Sequence, residues 1–328
     1  MTRRPSGLSQ TPIRLDLADG RGDVLGDVMS LGLLRNALYK QIEARAPWGM
    51  DVKARHRAML YLVARGEARL EMPGFPPVVL TAGHIAFLPR GAAHVLRDAA
   101  TTAPSAVCDG TVGRLASTTR RIGGRGAATL IVSAFFELDR TPPPLLDRPT
   151  QVVVLSGETD PLVATTFGLV LAELEHPGPA SVLLLQRLTD VLVVQAMRAL
   201  TKQPACRTQR SQGLVALSDP PIHDALSLMH AQVGHAWSVE ELAGRVGLSR
   251  SGFAARFTEL VGEPPLQYLA RWRATCAAQL LRETTDPVNT IATRVGYDST
   301  PSFNKAFQRW QGTTPTAYRR VATPGNLT

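Results

Sequence analysis

One pattern is written twice near the carboxyl end of the chain, and it limits what that end can fold into. The first copy covers residues 239–268 and the second covers residues 288–318. Ala243 and Ala292 are 49 residues apart, whereas the tyrosines that close the two copies are 50 apart, so the second copy has one extra residue in its turn. Because a solenoid needs at least three repeats to bury a continuous core, two copies predict a pair of modules instead.

Each copy has the local pattern of two short helices joined by a turn. Apolar residues recur at helical spacing in both first helices, so one side of each is expected to be buried. These residues are Val239, Leu242, Ala243 and Val246 in the first copy, and Val288, Ile291, Ala292 and Val295 in the second. Gly247 and Gly296 follow, where a turn needs the positive φ that glycine adopts at little cost. We expect Ser249 to cap the next helix in the first copy, and Asp298 or Ser299 to cap it in the second.

The second helix of each copy has a buried face and a polar face. Phe253 and Phe257, four residues apart, would hold the first of these helices to its module, and Phe303 and Phe307 would hold the other. A helix of this width fits the major groove of DNA, where side chains near its N-terminal end reach base edges. The candidate DNA-reading residues are Arg250, Ser251, Ala254 and Ala255 in the first copy, and Ser299, Thr300, Asn304 and Lys305 in the second. The alternative is two amphipathic hairpins with solvated outer faces, which the matched repeat disfavours.

The duplicated stretch resembles the DNA-binding domain of AraC-family transcription regulators. The resemblance implies two helix-turn-helix units joined by a long helix, here roughly Leu266 to Arg282, that enter successive major grooves about 34 Å apart. Arg271 and Arg273 on this helix are candidates for phosphate contacts, which add affinity without sequence information, and solvated arginines are the alternative. Ala254 and Ala255 stand where relatives often carry larger polar side chains. Hydrogen-bond readout by that helix would therefore rest on few groups, with contact to a thymine methyl still available.

Length and charge agree with a DNA-binding protein but do not locate its site. The chain has 328 residues and a formal net charge of +9, which allow two domains and favour a polyanionic partner. From Asp219 onward, 11 Lys and Arg residues oppose 9 Asp and Glu residues, so this part contributes only +2. No run reaches the roughly 20 apolar residues of a membrane-spanning helix. We expect a cytoplasmic protein without membrane association.

The cysteines point to the same compartment. Cys108, Cys206 and Cys276 are widely spaced and include no CxxC pair, which fits a reducing cytoplasm better than secretion. A small buried or incidental residue is the usual role of such a cysteine. Cys108, in an expected loop, is the one candidate for redox chemistry.

A segment punctuated by glycine and proline lies in the first half, among short apolar runs that predict strands. Its pattern, Gly83-(five residues)-Pro89-Arg-Gly91-Ala-Ala-His94-(three residues)-Asp98, resembles the second sequence motif of cupins, with Asp98 in place of the usual Asn. The resemblance implies a double-sheet jelly-roll barrel with the histidine directed inward. The arrangement also resembles the cupin-type sensor domain of many AraC-family regulators. It therefore implies that a small-molecule effector or another signal acts here.

Metal binding by this segment is disfavoured. Cupin enzymes bind a metal through that histidine, two further histidines and a glutamate from an earlier strand. Here the earlier strand offers His56 alone, without a glutamate at the matching spacing. Because a metal site needs three or four well-placed ligands, we predict no metal, no cofactor and no enzymatic activity, and we assign His56 and His94 as candidate ligand-binding residues. A cupin-fold metalloenzyme, or a metal or redox sensor with a DNA-binding tail, is the alternative.

Two helical segments follow, roughly from Leu162 to Leu174 and from Ala180 to Thr201, separated by Pro177-Gly-Pro179. The second has an apolar stripe so broad that it needs two covers, the barrel and a partner subunit. The stripe consists of Val182, Leu185, Leu188 and Leu192, widened by Leu184, Val191 and Val194. Periodicity predicts only a buried face, whereas the family resemblance implies a homodimer formed through helices at this place.

These observations predict an α+β multidomain protein, with an N-terminal cupin-like β-barrel plus helices and a C-terminal all-α domain with two helix-turn-helix motifs. We place the cupin-like sensor domain at residues 1–158, a helical dimerisation region at 159–202, a linker at 203–217 and the DNA-binding domain at 218–322. The predicted function is sequence-specific transcription regulation, with double-stranded promoter DNA and RNA polymerase as partners. A signal at the barrel would change the domain or subunit arrangement, and with it the DNA sites that both modules occupy.

Overall fold

The structure, a computed structural model, describes residues 22–32, 37–54, 57–89, 91–108, 119–137, 145, 152–202 and 213–322. Its strands are β1 Ala37–Arg45, β2 Gly49–Val52, β3 Arg57–Arg65, β4 Glu67–Glu71, β5 Val78–Thr81, β6 His84–Leu88, β7 His94–Arg97, β8 Ala106–Cys108, β9 Thr119–Gly123, β10 Ala128–Glu137 and β11 Val153–Ser156. Its α-helices are α1 Val24–Gly32, α2 Pro161–Glu175, α3 Ser181–Lys202, α4 Pro220–Ala231, α5 Val239–Arg245, α6 Arg250–Val261, α7 Pro265–Glu283, α8 Val288–Arg294, α9 Thr300–Gln311 and α10 Pro315–Ala322. A 3₁₀ helix, Leu214–Ser218, lies between α3 and α4. Among these helices, none combines the length and the apolar character that crossing a membrane requires.

The strands form two sheets that share one buried core. The first sheet has the strand order β11-β6-β3-β10-β1-β9, and the second has the order β5-β4-β7-β2-β8. The pairs β1–β9 and β2–β8 are parallel, and the other pairs are antiparallel. Met50 of the second sheet, Trp48 just before β2, and Tyr61 and Phe135 of the first sheet belong to this core. The apolar positions that alternate along the strands therefore meet between the sheets.

The expected barrel is not closed. Among the described strands, β5, β8, β9 and β11 are edge strands, each with a neighbour on one side only. The edge strands β8 and β9 have three and five residues, and each is attached to its sheet by parallel pairing alone. The described strands make an open two-sheet sandwich, and the prediction of a barrel was wrong in this respect.

Strand β3 is buried on both faces, as its continuous apolar run predicts. Tyr61 lies in the core between the sheets, whereas Leu60 and Leu62, one position away on either side, point to the opposite face. There they join Phe167 of α2 and Leu192 of α3 in a second core. Helices α2 and α3 thus cover the outer face of the first sheet, with boundaries within one residue of those predicted.

The same second core continues into the C-terminal helices. Leu214 of the 3₁₀ helix is buried together with Ile222 of α4 and Phe253 of α6. The backbone N–H of Gly213 also donates to the carbonyl of Leu260 in α6 at 3.1 Å. Of the predicted linker at 203–217, the part from 213 onward is therefore a packed element, and the rest lies outside the described residues.

Helix α1 precedes the sheets in the chain but packs against α4 and α7. Asp27 Oδ2 lies 3.2 Å from Nδ1 of His230 in α4. The His230 ring stacks on that of Trp272 with centroids 3.7 Å apart, and its Nε2 lies 2.7 Å from the hydroxyl of Tyr268. The proposed domain boundary at residue 158 therefore assigns to the sheets a helix that rests on the C-terminal helices.

Candidate nucleic-acid interface

Helices α5 and α6 make up the first helix pair, and α8 and α9 make up the second. A serine caps the second helix of each pair. Ser249 Oγ accepts the N–H of Gly252 at 3.2 Å, and Ser299 Oγ accepts the N–H of Ser302 at 3.4 Å. Both caps have extended backbones, as N-caps usually do. The expected caps are confirmed, with Ser299 rather than Asp298 in the second pair.

The turn inside each pair is closed by the same backbone hydrogen bond. The N–H of Leu248 donates to the carbonyl of Ala243, and that of Tyr297 donates to Ala292, both at 2.9 Å. The glycine before each donor has a φ of 71° in the first pair and 86° in the second. Because this is the left-handed region, the turn favours glycine in both pairs, as predicted.

Three aromatic rings anchor each of the helices α6 and α9. They are Phe253, Phe257 and Tyr268 in the first pair, and Phe303, Phe307 and Tyr318 in the second. The two phenylalanine centroids are 5.6 Å apart in both pairs, and the second phenylalanine meets the tyrosine at 5.7 Å and 5.5 Å in edge-to-face contacts. All four phenylalanines are at most 1% exposed. Helices α6 and α9 therefore turn equivalent faces inward and equivalent faces outward.

Most of the predicted DNA-reading residues lie on those outward faces. Arg250, Ser251, Ala255, Ser299, Asn304 and Lys305 are exposed, and Ala254 and Thr300 are half-buried. The two faces differ in chemistry. Among these predicted residues, α9 presents an amide and an ammonium, whereas α6 presents one guanidinium beside small side chains.

Three further exposed side chains on these helices that carry a basic or an amide group were not predicted: Arg256, Gln308 and Arg309. Gln308 and Arg309 follow Asn304 and Lys305 by four residues, so helical spacing was a sufficient signal for them. Arg256 is bound by Asp219, whose Oδ2 lies 2.5 Å from Nη2 and 3.0 Å from Nε. This hydrogen bonding raises the pKa of Arg256. No local pattern signals that pair, since its partners are 37 residues apart.

Arg271 and Arg273 both donate hydrogen bonds to groups within the protein. Arg271 is 8% exposed, and its Nη2 donates to Glu263 Oε1 at 2.6 Å. Arg273 donates to the backbone carbonyls of Val233, His235 and Gly296. Burial lowers the pKa of Arg273. These hydrogen bonds give both arginines a structural role, and the phosphate contacts stay a prediction.

His94 lies in the core between the sheets and is 2% exposed. Its Nδ1 is 2.6 Å from the carbonyl oxygen of Ala92, which can only accept, so this nitrogen carries the proton. Nε2 then accepts the hydroxyl hydrogen of Tyr61 at 2.8 Å. Burial lowers the pKa of His94 to about 4, which leaves the ring neutral near pH 7. Both ring nitrogens are occupied within the protein, so a ligand would have to displace Tyr61 to bind Nε2.

The remaining metal and redox candidates are only partly within the described residues. His56 and the side chain of Cys108 lie outside the described residues. Within the described ranges, no group of three or more His, Cys, Asp or Glu side chains is placed to hold a metal ion. Cys276 lies against the C-terminal cores, where burial raises the pKa of its thiol to about 12. That thiol is protonated and a poor nucleophile at neutral pH.

The outward faces of α2 and α3 are apolar. Their exposed large side chains are Leu162, Leu169, Val182, Leu183, Leu184 and Val191. Residues seven apart align along a helix, which places Leu162 above Leu169 and Leu184 above Val191. Leu192, in the predicted stripe, is fully buried on the other side. The stripe is therefore divided between the protein core and solvent.

Comparison with known proteins relates both halves of the chain to described families. A family model described as Cupin matches residues 23–202, and one described as Helix-turn-helix domain matches residues 242–321. A protein of Streptomyces lividans named "Putative AraC-like transcription regulator" is 32% identical over 92% of this chain and 99% of its own. A protein of the same name from Streptomyces antibioticus is 32% identical over 92% of this chain and 100% of its own. The solved DNA-binding domain of AdpA in complex with a target DNA is 33% identical over 31% of this chain and 91% of its own, with a TM-score of 0.30.

Proposed function

The chain belongs to the AraC family of DNA-binding transcription regulators, with an N-terminal cupin domain, and we propose that its two helix pairs are helix-turn-helix motifs that read successive major grooves. The observation that carries this proposal is one scaffold built twice beneath exposed faces. The serine cap, the turn hydrogen bond and the aromatic triplet recur in both pairs. An α-helix fits the major groove, where each base pair presents a distinct pattern of donors and acceptors.

The two reading helices contribute unequally. Asn304 of α9 can pair through its amide with N6 and N7 of adenine, and Lys305 can donate to O6 and N7 of guanine. On α6, Arg250 can bind guanine in the same way, whereas Ala255 offers only a methyl contact to thymine. We therefore assign most of the hydrogen-bonded sequence readout to α9, with Arg250 and Ser251 as the polar readers of α6.

The test removes the two polar side chains of α9. Asn304→Ala and Lys305→Ala are each expected to weaken binding to a cognate duplex by about 1–3 kcal/mol, which is roughly five- to 150-fold. The duplex is obtained by selecting random-sequence DNA with the wild-type protein. Fluorescence anisotropy at fixed salt gives the affinities, because part of the binding energy is counterion release. Repeating the selection with Asn304→Ala should relax the preference at one position.

A matched control separates readout from general effects of charge. Lys53 follows β2, far along the chain from α9, and its side chain is 61% exposed. Lys53→Ala removes one positive charge and should leave the affinity unchanged. Far-ultraviolet circular dichroism and thermal unfolding verify that all variants are folded. Wild-type affinity in both α9 variants would show that this helix does not read the DNA.

We also propose that the outward faces of α2 and α3 pair two copies of the chain. Six large apolar side chains are exposed there, and the family resemblance points to dimerisation by helices in this part. Leu169→Glu combined with Val191→Glu should convert a dimer into a monomer, because two carboxylates would be buried without partners. Sedimentation velocity measures the change, and Lys53→Glu, at an exposed position after β2 of the second sheet, is the control. A monomeric wild-type protein, or a dimer unaffected by the double substitution, would contradict this assignment.

The cupin domain is the proposed site of an effector, and RNA polymerase is the proposed protein partner, in the cytoplasm where promoter DNA lies. What supports an effector role is the second core, which runs from Leu60 of β3 through Leu192 and Leu214 to Phe253 of α6. A change in packing at the first sheet can reach a reading helix through buried contacts alone. Such control requires an effector with different affinities for two arrangements of the protein.

A further inference from the structure

We propose that Arg273, assisted by Arg271, clamps the two helix pairs together and thereby sets the operator spacing that the protein accepts. The inference rests on the proposed function, in which both α6 and α9 enter DNA grooves. It concerns how the two helices are held relative to each other, and it assigns to the buried Arg271 and the half-buried Arg273 a part in specificity without DNA contact.

Arg273 bridges the pairs through its whole guanidinium group. From α7, its Nε donates to the carbonyl of Val233 at 2.9 Å and its Nη2 to that of His235 at 2.7 Å, both just before α5. Its Nη1 donates to the carbonyl of Gly296 at 3.1 Å, in the turn between α8 and α9. The guanidinium also lies 5.7 Å from the ring of Tyr297 in that turn. All three guanidinium nitrogens thus donate hydrogen bonds. Two of the three acceptors lie in the segment that leads into the first helix pair, and the third lies in the turn of the second pair.

Backbone acceptors make this bridge sensitive to module position. A carbonyl cannot follow a displaced donor by changing its rotamer, so a rotation of one pair against the other would break the hydrogen bonds of this half-buried arginine. A buried carbonyl left without a donor is costly. The arginine fork, planar and rich in N–H donors, is suited to hold several acceptors in one geometry.

The segment before α5 and the turn between α8 and α9 also approach each other closely at the clamp. A Cβ added to Gly296 would lie 2.7 Å from Nη2 of Arg273 and 2.7 Å from the carbonyl oxygen of Gly234. A Cβ added to Gly234 would lie 3.1 Å from the carbonyl oxygen of Arg294. Two glycines therefore permit the close approach at the place where the guanidinium joins the segments.

Arg271 forms a second strut at a different place around α7. Its Nη2 donates to Glu263, in the corner between α6 and α7, and its guanidinium lies 5.9 Å from the ring of Trp310 in α9. Positions two apart on an α-helix point in directions about 200° apart. The two arginines thus restrain the pairs from different sides of α7, which opposes rotation as well as separation.

The expected consequence is a strict operator spacing. One added base pair shifts the second reading site by roughly 3.4 Å and rotates it by roughly 35° about the duplex axis. A clamped pair of helices cannot follow this displacement, whereas a loosened pair can. The measurable signature is the ratio of affinities for two duplexes that differ only in spacing.

The experiment uses the full chain and two duplexes. The native duplex is the one selected with the wild-type protein, and the spaced duplex carries one extra base pair between the positions whose preference is lost in Arg250→Ala and in Asn304→Ala. We expect the wild-type protein to bind the spaced duplex about tenfold or more weakly. In Arg273→Lys and Arg273→Met this ratio should fall at least threefold, while the slope of log affinity against log salt stays as in the wild type.

Two comparisons make the result decisive. Arg273→Lys keeps the positive charge but loses the fork, so a phosphate role predicts near wild-type behaviour from it, while the clamp predicts relaxed spacing. Arg320→Met, an exposed arginine of α10, should leave the spacing ratio unchanged. If Arg273→Met does not fold, Arg273→Lys and Arg271→Lys carry the test.

The outcomes that overturn the clamp differ from those that overturn the proposed function. Equal weakening on both duplexes, with a salt slope reduced by about one, would identify Arg273 as a phosphate contact. An unchanged spacing ratio in the folded variants would also refute the clamp. Failure of the wild-type protein to select any duplex with two separate recognition segments would instead refute reading by both helices, and the clamp with it.

Discussion

The two helix pairs share one scaffold but differ in what lies behind it. Phe253 and Phe257 of the first pair belong to a core that extends through the 3₁₀ helix to α3 and the first sheet. Phe303 and Phe307 of the second pair belong to a separate core that ends within α7, α8, α9 and α10. The first pair thus packs against the rest of the molecule. The other has stayed self-contained.

The exposed faces of the two helix pairs also differ in the side chains that they present. On the first pair, Arg256 is bound to Asp219 at the start of α4, and Ala255 beside it is exposed. On the second pair, Asn304, Lys305 and Gln308 are all exposed. The pair that is joined to the cupin domain therefore offers less for reading bases. We infer that the two copies have different roles: the first pair couples the cupin domain to the DNA-binding helices, and the second pair provides most of the base contacts.

The largest expected effect comes from removing one buried phenylalanine ring from each of the two cores. Phe257→Ala and Phe307→Ala each remove a fully buried ring, which costs about 3–5 kcal/mol of stability. Loss of Phe257 should reduce the hydrogen-exchange protection of α3 and the first sheet as well as that of α6, because they share its core. Loss of Phe307 should reduce protection only in the second pair and its supporting helices. Hydrogen exchange resolved by peptide measures both patterns. If the two substitutions reduced protection over equally large parts of the protein, the two cores would not be separate.

A smaller effect, dependent on pH, should sharpen the comparison. His94 between the sheets and His230 behind the first pair are buried, and burial lowers both pKa values, that of His94 from 6.5 to about 4. Residues 277–318 contain no histidine. These histidines bind protons near pH 6.5 in the unfolded chain but only at lower pH in the folded chain. Stability is therefore greatest above pH 6.5 and falls as the pH decreases toward 4. For His94 a pKa change of this size corresponds to about 3 kcal/mol.

Hydrogen exchange at pH 7 and pH 5, corrected for the intrinsic exchange rate, measures this difference by region. The sheets and the first pair should lose protection at the lower pH, while the second pair should lose less. His94→Gln, which has no proton to gain, should remove most of the loss in the sheets. Equal acid sensitivity in the second pair would mean that titration of other groups, and not of these histidines, controls the response.

The features that could be predicted from sequence are those set by neighbouring residues. Capping by Ser249 and Ser299 needs only a hydroxyl three residues before a free N–H, and α7 spans Pro265–Glu283 where Leu266 to Arg282 was expected. The phenylalanine pairs were predictable for the same reason. Their four-residue spacing places both rings on one side of any helix.

What the sequence did not disclose depends on distant partners. The local sequence around Arg271 and Arg273 is the same whether their guanidinium groups contact phosphates or groups of the protein. Arg273 donates to carbonyls that are 23 and 40 residues away along the chain. Barrel closure was overestimated because strand patterns indicate faces and do not indicate whether edges meet. The packing of α1 against α4 had no local signal either, since Asp27 and His230 are 203 residues apart.

Helix α1 limits where this chain can be cut. A fragment beginning at residue 218 would retain α4 and α7 but lose α1 with its buried Val28, and the 3₁₀ helix with its buried Leu214. The uncovered apolar surface would favour self-association, so an isolated C-terminal fragment is expected to precipitate or aggregate unless residues 22–32 are supplied in trans or fused to it. Dissection of this regulator into halves should therefore follow its buried surfaces and not its order in sequence.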